Sequence, residues 1–473
     1  MLNLKEIVSS LTKHSIASLN VPISSAVIDS RQAETGSLFI ALPGEHVDGH
    51  AFVRAAFDNG AVLALVDQDL PKSQKTIDLR PGVFNPKELS ISLPMCLRVE
   101  NSLSALQTIA AYWREQHPIR VIGITGSVGK TSTKELTAAL LSQKYVVLKN
   151  PGNRNNEIGL PLTLLELDAV HECAVLEMGF YVPGEIQTLC NLAQPQVGVV
   201  TNIGMVHAER AGSQETIARG KSELVQSLPP APDGVAVLNM DDPWVRWMQD
   251  KTNARLFTYG VNEKAALTAR NIETHGFEGV SFSLVYEGTQ HPIRSPLLGE
   301  FSVYTILRAA SVALIEGLKW EEIIAGLAVS RMDLRMRPMT LPNGVTVLDD
   351  TYNASPASTI AALKLLQGLK GRRIAILGDM LELGPYEIEG HQSVGSLCAN
   401  AADILILVGN RSKITAEAAL ANGFPEARLQ WYETSELAAK PASAIVQEGD
   451  VVLVKGSNSM HMDKILTALK EAV

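Results

Sequence analysis

The sequence of 473 residues is poor in cysteine, aromatics, positive charge and long apolar runs. Its four cysteines, Cys96, Cys173, Cys190 and Cys398, have no metal-ligand spacing, which excludes a clustered thiolate metal site and makes a reducing compartment the simpler expectation. Aromatics are 5% and charged residues 19% against 46% hydrophobic, a globular balance with no compositional sign of disorder. Acidic residues outnumber basic ones, 50 to 41, for a net charge of -9, which argues against general binding to nucleic acid or to an anionic membrane surface. A local basic pocket for phosphates stays compatible with that total. No stretch is apolar for the ~18 residues that a membrane helix needs, and Met1 to Ser10 already carries Glu6 and lacks a signal-peptide core. These absences lead to the expectation of a cytoplasmic protein.

What is present is alternation. From Ser24 to about Val66, strand-like runs (Ser37–Leu42, Ala61–Val66) flank one helical stretch, Ala51–Asn59. The next segment is broken by Pro71, Pro81, Pro86 and Pro94, and reads as an excursion before a linker, with a boundary near Arg98. Beyond it, apolar strands at Arg120–Thr125, Cys173–Glu177 and Val197–Thr201 alternate with helices, the pattern of a parallel sheet covered on both faces. A further series follows Met332, with strands at Val345–Leu348, Arg373–Leu377, Ile404–Val408 and Val451–Val454. The expected fold is therefore α/β with three domains: 1–98, a small amino-terminal unit; 99–331, a central nucleotide-binding unit with a mainly parallel sheet; and 332–473, a second doubly wound, Rossmann-like unit. Ligands of such sheets sit beyond the carboxyl ends of the strands. Thr125, Glu177, Thr201, Asn202, Asn239 and Asp241 cluster at those positions.

The strongest local signal is Gly123–Thr131, a glycine-rich turn between a strand and a helix. Glycines let backbone N–H groups close around phosphate oxygens, and a helix amino terminus favours negative charge. Lys130 is placed to reach the β- and γ-phosphates and Thr131 to ligate Mg2+. The strict four-residue spacing fails because Ile124 stands where the first glycine belongs, and Gly126 supplies the turn instead. The chain has no Asn-Lys-x-Asp motif for guanine, which makes ATP the expected nucleotide. Glu177, His207 and Lys221 are candidates for a second charge centre. Each has a plainer alternative: a surface carboxylate at a strand end, a capping or core histidine, a solvated helix lysine.

Taken together these pieces resemble the Mur ligases over nearly the whole chain. The matching pieces are Asp29-Ser30-Arg31 with Gly36 and Asp48-Gly49-His50; Thr125–Thr131; Asn153–Gly159; Glu177-Met178-Gly179; His207; Lys221; Asn239–Asp242; Asp349–Ala354; Gly378–Gly384; and Lys455-Gly456-Ser457. The resemblance is strongest to the members that add D-alanyl-D-alanine to UDP-N-acetylmuramoyl-tripeptide. It implies an ATP- and Mg2+-dependent ligation through an acyl phosphate. It implies Lys130, Lys221, His207 and Glu177 as catalytic residues, with Thr131, Glu177, His207 and a carbamylated Lys221 toward Mg2+. It implies Gly126, Ser127, Gly129, Lys130, Thr131, Ser132, Asn239, Arg335 and Asp350 toward the nucleotide, and Ser30, Arg31, Asp48, Asn156, Tyr352 and Asn353 toward the UDP-peptide and the incoming amine. Two departures stand out: Leu334 replaces a glycine before Arg335, and Gly299-Glu300-Phe301-Ser302 lacks a His-Asn pair. The rivals are a sister ligase adding a single amino acid, a folylpolyglutamate synthetase, which would lack the amino-terminal unit, and a nonenzymatic ATP-sensing protein. With no coiled-coil signal, a monomer is expected.

Overall fold

The computed structural model describes residues 2–44, 47–71, 74–86, 91–206, 208–329 and 336–471. The chain divides into two compact units. The first takes in Met1–Gly123, Tyr145–Gly179 and Glu185–Gln196, and the second Ile124–Lys144, Phe180–Gly184 and Val197–Val473.

In the first unit, β1 (Ala26–Val27), β2 (Leu38–Ile40), β3 (Leu63–Val66), β4 (Thr76–Asp78) and β5 (Met95–Arg98) form a parallel sheet in the order β1-β2-β3-β5-β4. Leu38, Phe39, Ile40, Leu63, Ala64, Leu65 and Val66 are all fully buried, so both faces of the central strands are covered, as continuous apolar runs require. The proline-broken segment is more than an excursion, because it contains β4 and β5. Its prolines flank those strands, Pro94 immediately before β5 and Pro81 after β4, so no ladder hydrogen bond is lost. The helix Ser102–Glu115 follows, capped by the Asn101 side chain on the Ser104 amide.

Next come β6 (Arg120–Thr125), β7 (Val147–Lys149) and β8 (Cys173–Glu177), with β7 and β8 parallel. In the second unit, β9 (Val197–Val200), β10 (Val235–Asn239), β11 (Arg255–Gly260) and β12 (Leu267–Thr274) pair in parallel. β13 (Val280–Tyr286) and β14 (Thr289–Ser295) then extend β12 in antiparallel fashion. Glu287 and Gly288, both at positive φ, close that hairpin with the backbone hand matching the strand twist. The antiparallel extension was not read from the sequence.

The carboxyl-terminal sheet comprises β15 (Arg337–Thr340), β16 (Thr346–Asp350), β17 (Arg373–Gly378), β18 (Ile404–Val408), β19 (Leu429–Tyr432) and β20 (Val451–Lys455), in the order β15-β16-β20-β17-β18-β19. Only β15 runs antiparallel. Alternate residues feed two cores: Leu348, Leu377, Leu405 and Leu453 pack with Leu363 and Leu366, while Val347, Ile376, Ile406 and Val454 pack with Ile465 and Leu469. Among the described residues, no helix is long and apolar enough to cross a membrane.

Candidate nucleotide and metal site

β6 ends at Thr125, and the helix Lys130–Leu141 begins five residues on. Between them, Gly126 (φ +142°) and Gly129 (φ +85°) take backbone conformations that favour glycine. A Cβ on Gly126 would lie 1.9 Å from the Thr201 hydroxyl, so the turn admits no side chain there. The residues after β9 hold the loop's shape. Asn202 accepts the Ser127 amide on its backbone oxygen and the Val128 amide on Oδ1, each at 2.9 Å. The Thr201 hydroxyl donates to the Val128 carbonyl (2.8 Å), and the Ser127 hydroxyl accepts the Gly204 amide (2.8 Å). Lys130 Nζ donates to the Gly126 carbonyl at 2.9 Å, with Thr131 and Ser132 half-buried in the first helical turn. Amides of a first helical turn lack intrahelical acceptors, so a loop of this shape offers N–H groups and an ammonium to one anion.

Asn239, buried at the end of β10, accepts the Asp241 amide (3.1 Å). Asp241 gathers the amides of Val261 and Glu263 and the Tyr304 hydroxyl, while Asp242 caps the helix Pro243–Trp247 and accepts the Ile203 amide. The two aspartates therefore fix the turns around β9, β10 and β11.

Lys221 lies on the helix Gln214–Gln226, whose amino end Ser213 caps. It is 1% exposed, which removes the solvated-lysine alternative. Its ammonium stands 4.5 Å from the centroid of the Phe180 ring. Gly220 makes room for that ring, since a Cβ there would come within 2.1 Å of it.

Glu177, the last residue of β8, is 3% exposed and thus no surface carboxylate. Asn150 exchanges two 2.9 Å hydrogen bonds with its backbone, and Asn155 Nδ2 donates to Oε1 at 2.9 Å. Oε2 is buried without a hydrogen-bond partner among the described residues. A buried carboxylate oxygen left this way fits a cation better than any neutral group. Asn156, exposed beside this pair, accepts the Gly159 amide (2.8 Å).

In the first sheet, Ser30 is buried in a single 3-10 turn and Arg31 is exposed, chelated by Asp29 at 2.7 Å. That guanidinium holds the Asp29 carboxyl down at about 2. Asp48 accepts the backbone amide of His50, its ring nitrogen and the Gln68 amide, and these bonds lower its pKa to about 2. In the carboxyl-terminal sheet, Asp350 and Lys455 end neighbouring strands and form a buried ion pair, and Lys455 also donates to the Asn353 carbonyl (2.9 Å). Tyr352 and Asn353 are exposed on the loop so anchored. His207 and Arg335 lie outside the described residues. Phe180, Asn150 and Asn155 escaped the sequence reading as working residues. The run of four Asn and Arg residues at 153–156 was the available signal for Asn155, and Gly220 beside Lys221 for Phe180.

Three family models match along the chain: the Mur ligase family catalytic domain at residues 22–113, the Mur ligase middle domain at 124–313, and the Mur ligase glutamate ligase domain at 334–458. The UDP-N-acetylmuramoyl-tripeptide--D-alanyl-D-alanine ligase of a Synechocystis species is 36% identical over 458 residues, covering 95% of this chain and 92% of the relative. Among solved structures, MurF from Acinetobacter baumannii superposes with a TM-score of 0.84 at 29% identity, over 99% of this chain and 98% of that one. The MurF ligase of Thermotoga maritima in complex with ADP gives 0.80 at 26% identity, over 95% and 97%.

Proposed function

Because the chain belongs to the Mur ligase family, we propose that it joins the amine of D-alanyl-D-alanine to the terminal carboxylate of UDP-N-acetylmuramoyl-tripeptide, consuming ATP. The observation that carries this is the phosphate loop, with Gly126, Gly129 and Lys130 shaped by Thr201 and Asn202, in a chain matched over 95% of its length by a ligase of that name. The substrate carboxylate attacks the γ-phosphorus, ADP leaves, and the resulting acyl phosphate is attacked at its carbonyl carbon by the amine. Phosphate departs and the amine's proton passes to solvent. Two anions must meet in the first step, so positive charge and positioning are the main demands, and no protein nucleophile is needed.

Lys130 and the loop amides hold the β- and γ-phosphates, with Gly126, Ser127, Gly129, Thr131 and Ser132 forming the cradle. Thr131, Glu177, His207 and Lys221 are proposed toward Mg2+, and the Glu177 Oε2, without a hydrogen-bond partner among the described residues, supports this. Bound Mg2+ supplies charge that neutralises the transferring phosphoryl group. A neutral lysine amine can take up carbon dioxide to become an anion, which is the carbamate proposed for the buried Lys221. Asn239, Arg335 and Asp350 are proposed for the nucleoside end, Ser30, Arg31, Asp48 and Asn156 for the UDP-peptide, and Tyr352 and Asn353 for the amine. A cytoplasmic monomer divided near residues 98 and 331 belongs to the same proposal.

Phosphate release from ATP by purified protein tests it, with D-alanyl-D-alanine compared against single amino acids. Release with UDP-tripeptide only when the dipeptide is present is the expected result. Release with UDP-dipeptide and a single amino acid would move the assignment to a sister ligase, and none under either condition would overturn it.

A further inference from the structure

The helix Phe301–Ile315 carries Arg308, which is 4% exposed. Its Nη2 donates to the Thr305 hydroxyl at 3.0 Å, and its positive charge acts on the fully buried Tyr259 hydroxyl. Nε has no hydrogen-bond partner among the described residues, and no carboxylate among them pairs with the group. On its open side stands the phosphate loop. A Cβ built on Gly129 would lie 3.0 Å from Nη2, 3.7 Å from Cζ and 3.9 Å from Nη1. The fork thus faces the residue immediately before Lys130. Tyr259, on which the guanidinium's charge acts, donates to the Thr201 carbonyl at 3.3 Å, so Arg308 belongs to the same corner as the loop's supports.

A buried guanidinium with no carboxylate paired to it among the described residues is unfavourable, since no direct partner offsets its desolvation. Arginine also cannot shed its proton to escape that cost. The anion that would satisfy it is one arriving at the loop. We propose that Arg308 is a second cation of the phosphate loop, acting with Lys130, and that the polyphosphate of the bound nucleotide is its counter-ion. This rests on the assignment of the loop to ATP. Arg308 then sets how tightly ATP and ADP are held and how strongly that affinity depends on the number of phosphates, while contributing less to the bond-making step. The group is buried and held by Thr305 before the nucleotide arrives, so little ordering accompanies binding.

Calorimetric titration of the full-length protein with ADP and with AMP decides the matter, alongside the KM for ATP and the melting temperature without nucleotide. In Arg308→Met, the Kd for ADP and the KM for ATP are expected to rise about tenfold, with a smaller change for AMP. The melting temperature without nucleotide should hold or rise, because an uncompensated buried charge is gone. Arg308→Lys, which keeps the charge, should stay within about threefold of wild type for ADP. A folded Arg308→Met with unchanged ADP affinity would overturn the proposal. So would a folded Arg308→Lys that loses about tenfold or more in ADP affinity relative to wild type, and this second variant keeps the test decisive if the first does not fold. Wild-type protein that binds no ADP at all would instead defeat the loop's assignment to ATP.

Discussion

The Lys221 ammonium rests over the face of Phe180, 4.5 Å from the ring centroid, on a helix that narrows to Gly220 beneath that ring. Aromatic contact on one side and near-complete burial set the lysine's direction and strip it of water. Burial works against the charged ammonium, while the ring face partly offsets that loss of water.

Lys221→Ala is therefore expected to lower kcat by about 100-fold or more, as loss of a metal-directed or phosphoryl-neutralising group does. Partial recovery on adding short-chain carboxylates should accompany it, because such an anion can replace the carbamate. Turnover assays across an acetate and propionate series check this, and a Lys221→Ala enzyme with normal turnover would remove the residue from the site.

Lys130→Ala should leave the circular dichroism spectrum unaltered while phosphoryl transfer falls by about 100-fold or more. The loop's shape is held by Thr201 and Asn202 rather than by the lysine alone, so folding is spared. Single-turnover measurement of ADP formation separates loss of chemistry from loss of binding.

Asn155→Ala removes the donor to Glu177 Oε1 and leaves the carboxylate free to turn. Loss of such a supporting bond typically weakens metal affinity about 10- to 100-fold. The Mg2+ concentration for half-maximal activity should rise accordingly, with the maximal rate at saturating Mg2+ changed much less. An unaltered Mg2+ dependence would count against Glu177 as a ligand.

Asp48 carries the clearest pH dependence. Its pKa is lowered from 3.8 to about 2, first by the His50 amide, then by the His50 ring and Gln68. A depressed carboxylate pKa gives stability that is present above the unfolded value and lost as pH falls through the folded one. The Tm difference between wild type and Asp48→Asn should hold at neutral pH and close between about pH 4 and pH 2. A gap that persists below about pH 2 would show that hydrogen-bond geometry, not charge, is responsible.

Strands built from unbroken apolar runs were plain in the sequence, Cys173–Glu177 to the residue and Ile404–Val408 likewise. Weaker patterns hid β4, β15 and β19, since strands of three or four residues at a sheet edge carry little periodicity. The phosphate loop could be read because glycine and lysine spacing is local. Burial is a property of packing, and the sequence alone offered Glu177 and Lys221 as charge-centre candidates without removing the surface alternatives until their neighbours were in place. Asn150, Asn155 and Phe180 act through contacts across up to about forty intervening residues, and Arg308 reaches Gly129 from far along the chain, a distance at which no motif operates.

The hydroxyl of Thr201 fills the space that a side chain at Gly126 would need, and it also holds the Val128 carbonyl. Any replacement of Gly126 demands a smaller residue at position 201, and the shrinkage that makes room deletes the bond shaping the loop. Gly126 therefore has no single-step route to a side chain. A drifting lineage can rework the surrounding surface freely, yet this corner is closed to gradual revision, and a designer seeking a new nucleotide preference would have to begin elsewhere on the loop.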